Sequence, residues 1–177
     1  MNLIIPDWEP EVECEVGTEW PADQDWEATA RIAMRLAHNV APELANPCLC
    51  VSVVFGSDAD VRGLNLQWRG KDKPTNVLSF PMLERDALLA IAAGGPPVLL
   101  GDIALAFETC QQEASAKGIF LFDHTTHLLV HGLLHLAGYD HETSPQDARA
   151  MERLEIKALA LLGIADPYGD HSETMGR

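Results

Sequence analysis

The sequence predicts an α+β domain: a small mixed β-sheet covered by about five helices, with a three-histidine metal site at the end of a central helix. Three observations lead there. The elements follow the order strand, helix, strand, helix, strand, strand, helix, helix, helix, which fits one sheet with helices packed over it. The run from Val98 to Phe107 is apolar enough for a central strand buried on both faces. The segment from Asp123 to Ala137 carries Leu128, Leu129, Leu133, Leu134 and Leu136 nearly all round its circumference, which marks a helix inside the molecule.

Each element has its own warrant. Leu3-Ile4-Ile5 is apolar enough for a short opening strand, and residues 6 to 24, with prolines, acids and no sustained period, read as a loop. Trp26, Ala30, Ala33, Ala37 and Val40 then follow helical spacing behind Asp25 as cap, and Pro42 closes the helix. Leu49 to Phe55, rich in β-branched and aromatic residues, reads as a strand ended by Gly56. Ser57 and Asp60 form a capping box for a helix with Val61, Leu64 and Trp68 on one face and Arg69 at its C-terminal end. Asn76 to Phe80 reads as a strand stopped by Pro81, and residues 84 to 97 as a loop with one helical turn at most. Glu108 to Lys117 is helical up to Gly118; Asp123 caps the central helix; Ser144, Pro145 and Asp147 start a last helix ending at Gly163, with Met151, Leu154, Ala158 and Leu161 as its core stripe. The domain is expected over residues 1 to 168, with 169 to 177 a flexible tail.

The chemistry concentrates in His131-Gly132-Leu133-Leu134-His135-Leu136-Ala137-Gly138-Tyr139-Asp140-His141, three imidazoles at intervals of four and six residues. Residues four apart on a helix are separated by about 40° around the axis and one turn along it, so His131 and His135 can hold one ion from one face. A left-handed Gly138 ends the helix and swings His141 in as the third ligand. Three neutral imidazoles suit zinc, with nickel or cobalt as substitutes, and three protein ligands leave a fourth position for water. A lone histidine is more often an ordinary core or surface residue, and His38 and His171 are read that way. His127, one turn before His131, is read as an outer hydrogen-bond partner of the site and His124 as solvent-exposed; Asp140 is placed to orient His141 or to accept a proton. The spacing equals the metzincin protease signature H-E-x-x-H-x-x-G-x-x-H, except that Gly132 stands where the protease carries its glutamate base. Peptide hydrolysis would need a base from elsewhere.

The same eleven residues resemble the signature of the YbeY family, bacterial rRNA-maturation metallo-endoribonucleases. Upstream, Asn65 to Arg69 with Lys73-Pro74-Thr75-Asn76-Val77-Leu78-Ser79-Phe80-Pro81 resembles that family's second block, Leu100 to Ile103 its third, and Gly163 to Tyr168 its usual ending. The second block commonly reads Thr-Asp, so Asn76 keeps an acceptor and loses a charge. The resemblance implies a zinc-dependent, single-strand-specific endoribonuclease acting on ribosomal RNA. Its partners would be the small ribosomal subunit with its proteins and an Era-type GTPase. Thr75, Asn76 and Ser79 are then placed near the site or the substrate. Arg69 is the choice for the group that holds the scissile phosphate, because a guanidinium makes paired hydrogen bonds to phosphate.

Composition limits these readings. At 177 residues with 47% hydrophobic residues, the chain suits one domain with one core, and no apolar run approaches the roughly 20 residues that span a membrane. Its start lacks the basic and apolar parts of a secretory leader, which places it in the cytoplasm. Cys14, Cys48, Cys50 and Cys110 fit no zinc or redox spacing and are expected as reduced thiols. The net charge of −15 argues against a broad nucleic-acid surface. RNA binding would therefore need a local patch, and five of the twelve basic residues, Arg62, Arg69, Lys71, Lys73 and Arg85, fall between 62 and 85. The alternatives are a metalloprotease lacking its glutamate and a non-catalytic ribosome assembly factor whose metal only holds the helical core.

Overall fold

The computed structural model describes residues 2–169. The expected tail, Gly169 apart, and His171 within it lie outside the described residues. In chain order the elements are β1 (Glu11–Val16), α1 (Trp26–Val40), β2 (Leu49–Gly56), α2 (Asp58–Arg69), β3 (Val77–Pro81), α3 (Arg85–Leu89), β4 (Val98–Ala106), α4 (Phe107–Lys117), α5 (Leu121–Leu136) and α6 (Pro145–Ala160). The sheet order is β1-β2-β4-β3; β1, β2 and β4 run parallel, and β3 is antiparallel to β4. The predicted α+β class with a mixed sheet stands, with six α-helices rather than five among the described residues.

The opening strand is not where the sequence placed it. Leu3 to Ile5 are irregular, and the strand is Glu11–Val16, inside the expected loop. Val12 is buried and faces Val51 of β2 while Glu11, Glu13 and Glu15 stay exposed, so the strand's period of two was hidden behind its acids. The next segment is also held, because Trp20 donates its indole N–H to the carbonyl of Gly56 at 2.9 Å and packs edge-on to Trp26 and Phe55, with ring centroids 4.8 and 5.1 Å away.

Helix starts behave as their sequences require. Asp25 accepts from the Ala28 N–H, Ser57 and Asp60 form the reciprocal capping box of α2, and Ser144 accepts from the Asp147 N–H. Two expectations fail. Helix α5 begins two residues before Asp123, which is a first-turn acid rather than the cap. Trp68 is 66% exposed; on α2 the buried residues are Val61 and Asn65, whose side-chain N–H donates to the Lys73 carbonyl at 2.8 Å and ties down the following loop.

Helix α5 lies at the centre, packed against α1, α4, α6, β3 and β4. Its leucines are buried as expected. Gly132 is where it meets the sheet: a Cβ added there would stand 3.1 Å from Cδ1 of Ile103 on β4. A Cβ at 132 would therefore crowd Ile103, which would have to give by a few tenths of an ångström to admit it. All four cysteines are free thiols, as expected. Burial pushes Cys110 up to about 12, which keeps that thiol protonated and inert.

Candidate metal centre

Helix α5 ends in a Schellman turn. The Gly138 N–H reaches the His135 carbonyl at 2.9 Å, the Tyr139 N–H reaches that of Leu134 at 3.0 Å, and Gly138 has φ +96°. The chain reverses as the spacing required and returns His141 beside the helix. One nitrogen from each of His131, His135 and His141 falls within 4.8 Å of the others. His131 Nε2 and His135 Nε2 stand 3.1 Å apart, and the three ring centroids are separated by 4.6 to 5.2 Å. Three imidazole nitrogens converging this closely, at an exposed mouth, fit a divalent ion such as zinc. Burial, followed by the neighbouring His131 and His141, pushes the His135 pKa down to about 4, so that ring is neutral at ordinary pH, the form that binds metal.

Behind the trio stands a residue that no ligand spacing marks. Glu155 of α6 is 1% exposed, and its Oε1 lies 2.9 Å from both His131 Nδ1 and His127 Nε2. Its other oxygen accepts the Tyr168 hydroxyl at 3.0 Å. Burial alone would raise this carboxyl; hydrogen bonds from His127 and His131, with the attraction of both rings, hold it at about 2. An ionised Glu155 accepts the Nδ1 proton of His131 and so fixes the tautomer that presents Nε2 to the site. One signal was available: Glu155 is four residues past Met151 and three before Ala158, on the stripe read as core. Among the described residues, His127 is linked by hydrogen bonds to the trio through this shared carboxylate. Tyr168 gives the chain's GIADPY ending a physical role.

The trio opens on a cleft of about 550 Å³ whose far wall is the end of α2 and strand β3. Arg69, Thr75, Asn76 and Ser79 all line it, together with Asp140. Asn76 donates to Glu113 Oε2 at 3.1 Å while its oxygen accepts the Val77 N–H at 2.7 Å. An aspartate there would set two carboxylates against each other, so the missing charge at 76 is matched by the acid at 113. Asp140 Oδ1 accepts the Glu142 N–H at 2.8 Å, a bond that holds its carboxyl low; among the described residues it makes no hydrogen bond to His141. His124, expected in solvent, is 2% exposed, covered where α4 packs on α5, with Glu113 Oε2 3.4 Å from its Nε2. His38 is an ordinary buried histidine, 3.3 Å from the Ile4 carbonyl.

The basic patch is smaller than the sequence suggested. Arg62 is paired with Asp72 at 2.7 Å. Arg85 is committed to the fold: it donates to Glu43 and to the Ala137 carbonyl, and lies over the Tyr139 ring, beneath the turn that carries His141. Arg69, Lys71 and Lys73 have no acidic partner among the described residues. Of these three cations, Arg69 lines the cleft.

Residues 15–163 match the family described as endoribonuclease YbeY. The chain is 59% identical over 153 residues to the endoribonuclease YbeY of Erythrobacter litoralis, covering 86% of this chain and 94% of that one. It is 56% identical to that of Novosphingobium aromaticivorans, covering 90% and 96%. A solution structure from Thermotoga maritima superposes with a TM-score of 0.57 over 85% of this chain and 88% of that one; at 23% identity it shows the shared fold.

Proposed function

The chain belongs to the endoribonuclease YbeY family, and on that premise we propose that it is a zinc-dependent, single-strand-specific endoribonuclease. In this reading it acts in the cytoplasm on ribosomal RNA, at the 3′ end of the small-subunit RNA and in late ribosome quality control. The small subunit and an Era-type GTPase are its partners. The observation that carries the site assignment is that the converging trio and Arg69 share one cleft.

His131, His135 and His141 hold the metal. Zinc bound there supplies Lewis acidity, polarising a phosphoryl oxygen and lowering the pKa of water toward about 7. Glu155 keeps His131 turned to the site, and Gly138 brings His141 to it. Arg69 grips the scissile phosphate with paired N–H donors and stabilises the charge that builds on it. Lys71 and Lys73 extend that contact along the strand, while the acidic remainder of the surface repels RNA that is not presented to the cleft.

The test is cleavage of a labelled single-stranded ribosomal RNA fragment by zinc-loaded protein beside identically prepared His135→Ala and Arg69→Ala. Cutting by the native chain, none by His135→Ala and a large loss in Arg69→Ala support one active site. If all three cut alike, the nuclease is a contaminant and the assembly-factor reading, which the −15 charge favours, takes its place.

A further inference from the structure

Beside the cleft lies a second hollow of about 170 Å³ between α4, α5, the start of β3 and Tyr168. It shares Asn76, Val77 and His131 with the cleft. Its lining is polar and incompletely paired. Among the described residues, Nδ1 of His124 and Nδ1 of His127 have no hydrogen-bond partner, and Nε2 of His124 has only the loose approach of Glu113 Oε2 at 3.4 Å; the two histidines are 2% and 7% exposed. Buried polar atoms without partners are rare in native folds and point to a group that completes them. Glu113 faces the same space. Its Oε2 is engaged by Asn76 at 3.1 Å and lies near His124, while its Oε1 carries no hydrogen bond among the described residues.

The chemistry of the hollow narrows its occupant. At about 30 Å³ per water the space holds roughly five or six waters, or a single flat heterocycle. A phosphate would meet the Glu113 carboxylate, with Lys117 as the only lining lysine or arginine among the described residues. Burial lowers the His124 pKa and Lys117 lowers it further, so that imidazole is uncharged. A metal ion lacks ligands, because the only three-residue cluster among the described residues is the trio already assigned. Apolar walls come from Val77 and Leu128. What remains is a neutral, planar ring with hydrogen-bonding edges.

We propose that this hollow receives the base of a nucleotide adjoining the phosphate at the histidine trio, and that Glu113 selects a base bearing an exocyclic amine. The inference rests on the RNA-cleaving reading above, because the shared wall of Asn76, Val77 and His131 makes neighbouring nucleotides the natural pair of occupants. Cytosine and uracil separate the chemistry: the amine of cytosine donates to a carboxylate, whereas the carbonyl of uracil at the same position meets it as a second acceptor.

The experiment measures binding of 2′-O-methyl hexamers of cytidine and of uridine, verified intact on a gel after each titration, to the full zinc-loaded chain by fluorescence anisotropy. The native chain is expected to prefer the cytidine hexamer about tenfold, within the range of one base-edge contact. Glu113→Gln, which keeps an acceptor for Asn76, is expected to bring the ratio to about one or reverse it, with melting temperature and zinc content unchanged. Arg69→Ala should weaken both hexamers alike and preserve the ratio. Equal binding of both hexamers by the native chain, or a ratio untouched by Glu113→Gln, overturns the base pocket while RNA cleavage by the native chain still stands. If neither hexamer binds and the ribosomal fragment is not cut, the nuclease reading fails and the pocket falls with it.

Discussion

Helix α5 carries four histidines, and its two halves use them differently. His124 and His127, in the first half, are buried by α4 and α6; His131 and His135, in the second half, open onto a cleft and are joined by His141. The residue type and its spacing are similar throughout the helix. What differs is the neighbouring element: packed helices enclose the first pair, whereas the turn at Gly138 leaves the second pair facing solvent with a third imidazole. Glu155 bridges the halves, one oxygen serving His127 and His131 together.

The sharpest way to break this division is His135→Ala. It should lower zinc affinity by more than about 100-fold, beyond the 10- to 100-fold typical of an outer partner, and abolish RNA cleavage; chelator competition reads the first and the labelled fragment the second. Glu155→Gln keeps the shape of the bridge and removes its charge, so zinc affinity should fall by about 10- to 100-fold while the ligands remain. Unchanged affinity in that variant would make Glu155 a packing residue only.

Acid sharpens the same contrast in the metal-free chain. The Glu155 carboxyl sits at about 2 when folded, below its ordinary value of 4.5, so its stabilisation is complete above about pH 4.5 and is lost as pH falls toward 2. His135, lowered from 6.5 to about 4, acts in the window above: the unfolded chain takes up the proton first, so stability falls as pH drops from 6.5 to 4. Denaturant midpoints measured from pH 7 to 2.5 should decline through both windows, and Glu155→Gln should flatten the lower one alone.

Smaller effects follow at the turn and in the buried half. Gly138→Ala places a Cβ at φ +96°, 3.1 Å from the Cβ of Arg85, and should cost about 1–2 kcal/mol, read as a lower melting temperature. His124→Asn should leave zinc affinity within about twofold, because among the described residues it shares no hydrogen-bond partner with the trio. A larger loss would show that the two halves of α5 act as one unit.

The convergence of the trio and its glycine was legible because spacing on a helix is dictated by its pitch, and the place of Arg69 on the cleft because a helix end and a family block coincide there. Trp68 misled because helical periodicity names a face without saying whether anything covers it. His124 misled for the converse reason, since its cover comes from α4, whose approach no local pattern encodes. Glu155 was hidden as one acid among several on α6, although its place in line with Met151 and Ala158 broke the apolar stripe. Strand β1 was hidden by composition, its three glutamates outweighing the alternation of Val12, Cys14 and Val16.

Those glutamates have a consequence of their own. β1 is an edge of the sheet, and Glu11, Glu13 and Glu15 stand exposed along it. A second copy of the chain that tried to extend the sheet there would bring two such rows of carboxylates together, a repulsion that discourages edge-to-edge stacking into aggregates. Part of the chain's large negative charge thus guards the molecule against itself, at the edge of the sheet farthest from β3 and the cleft it lines.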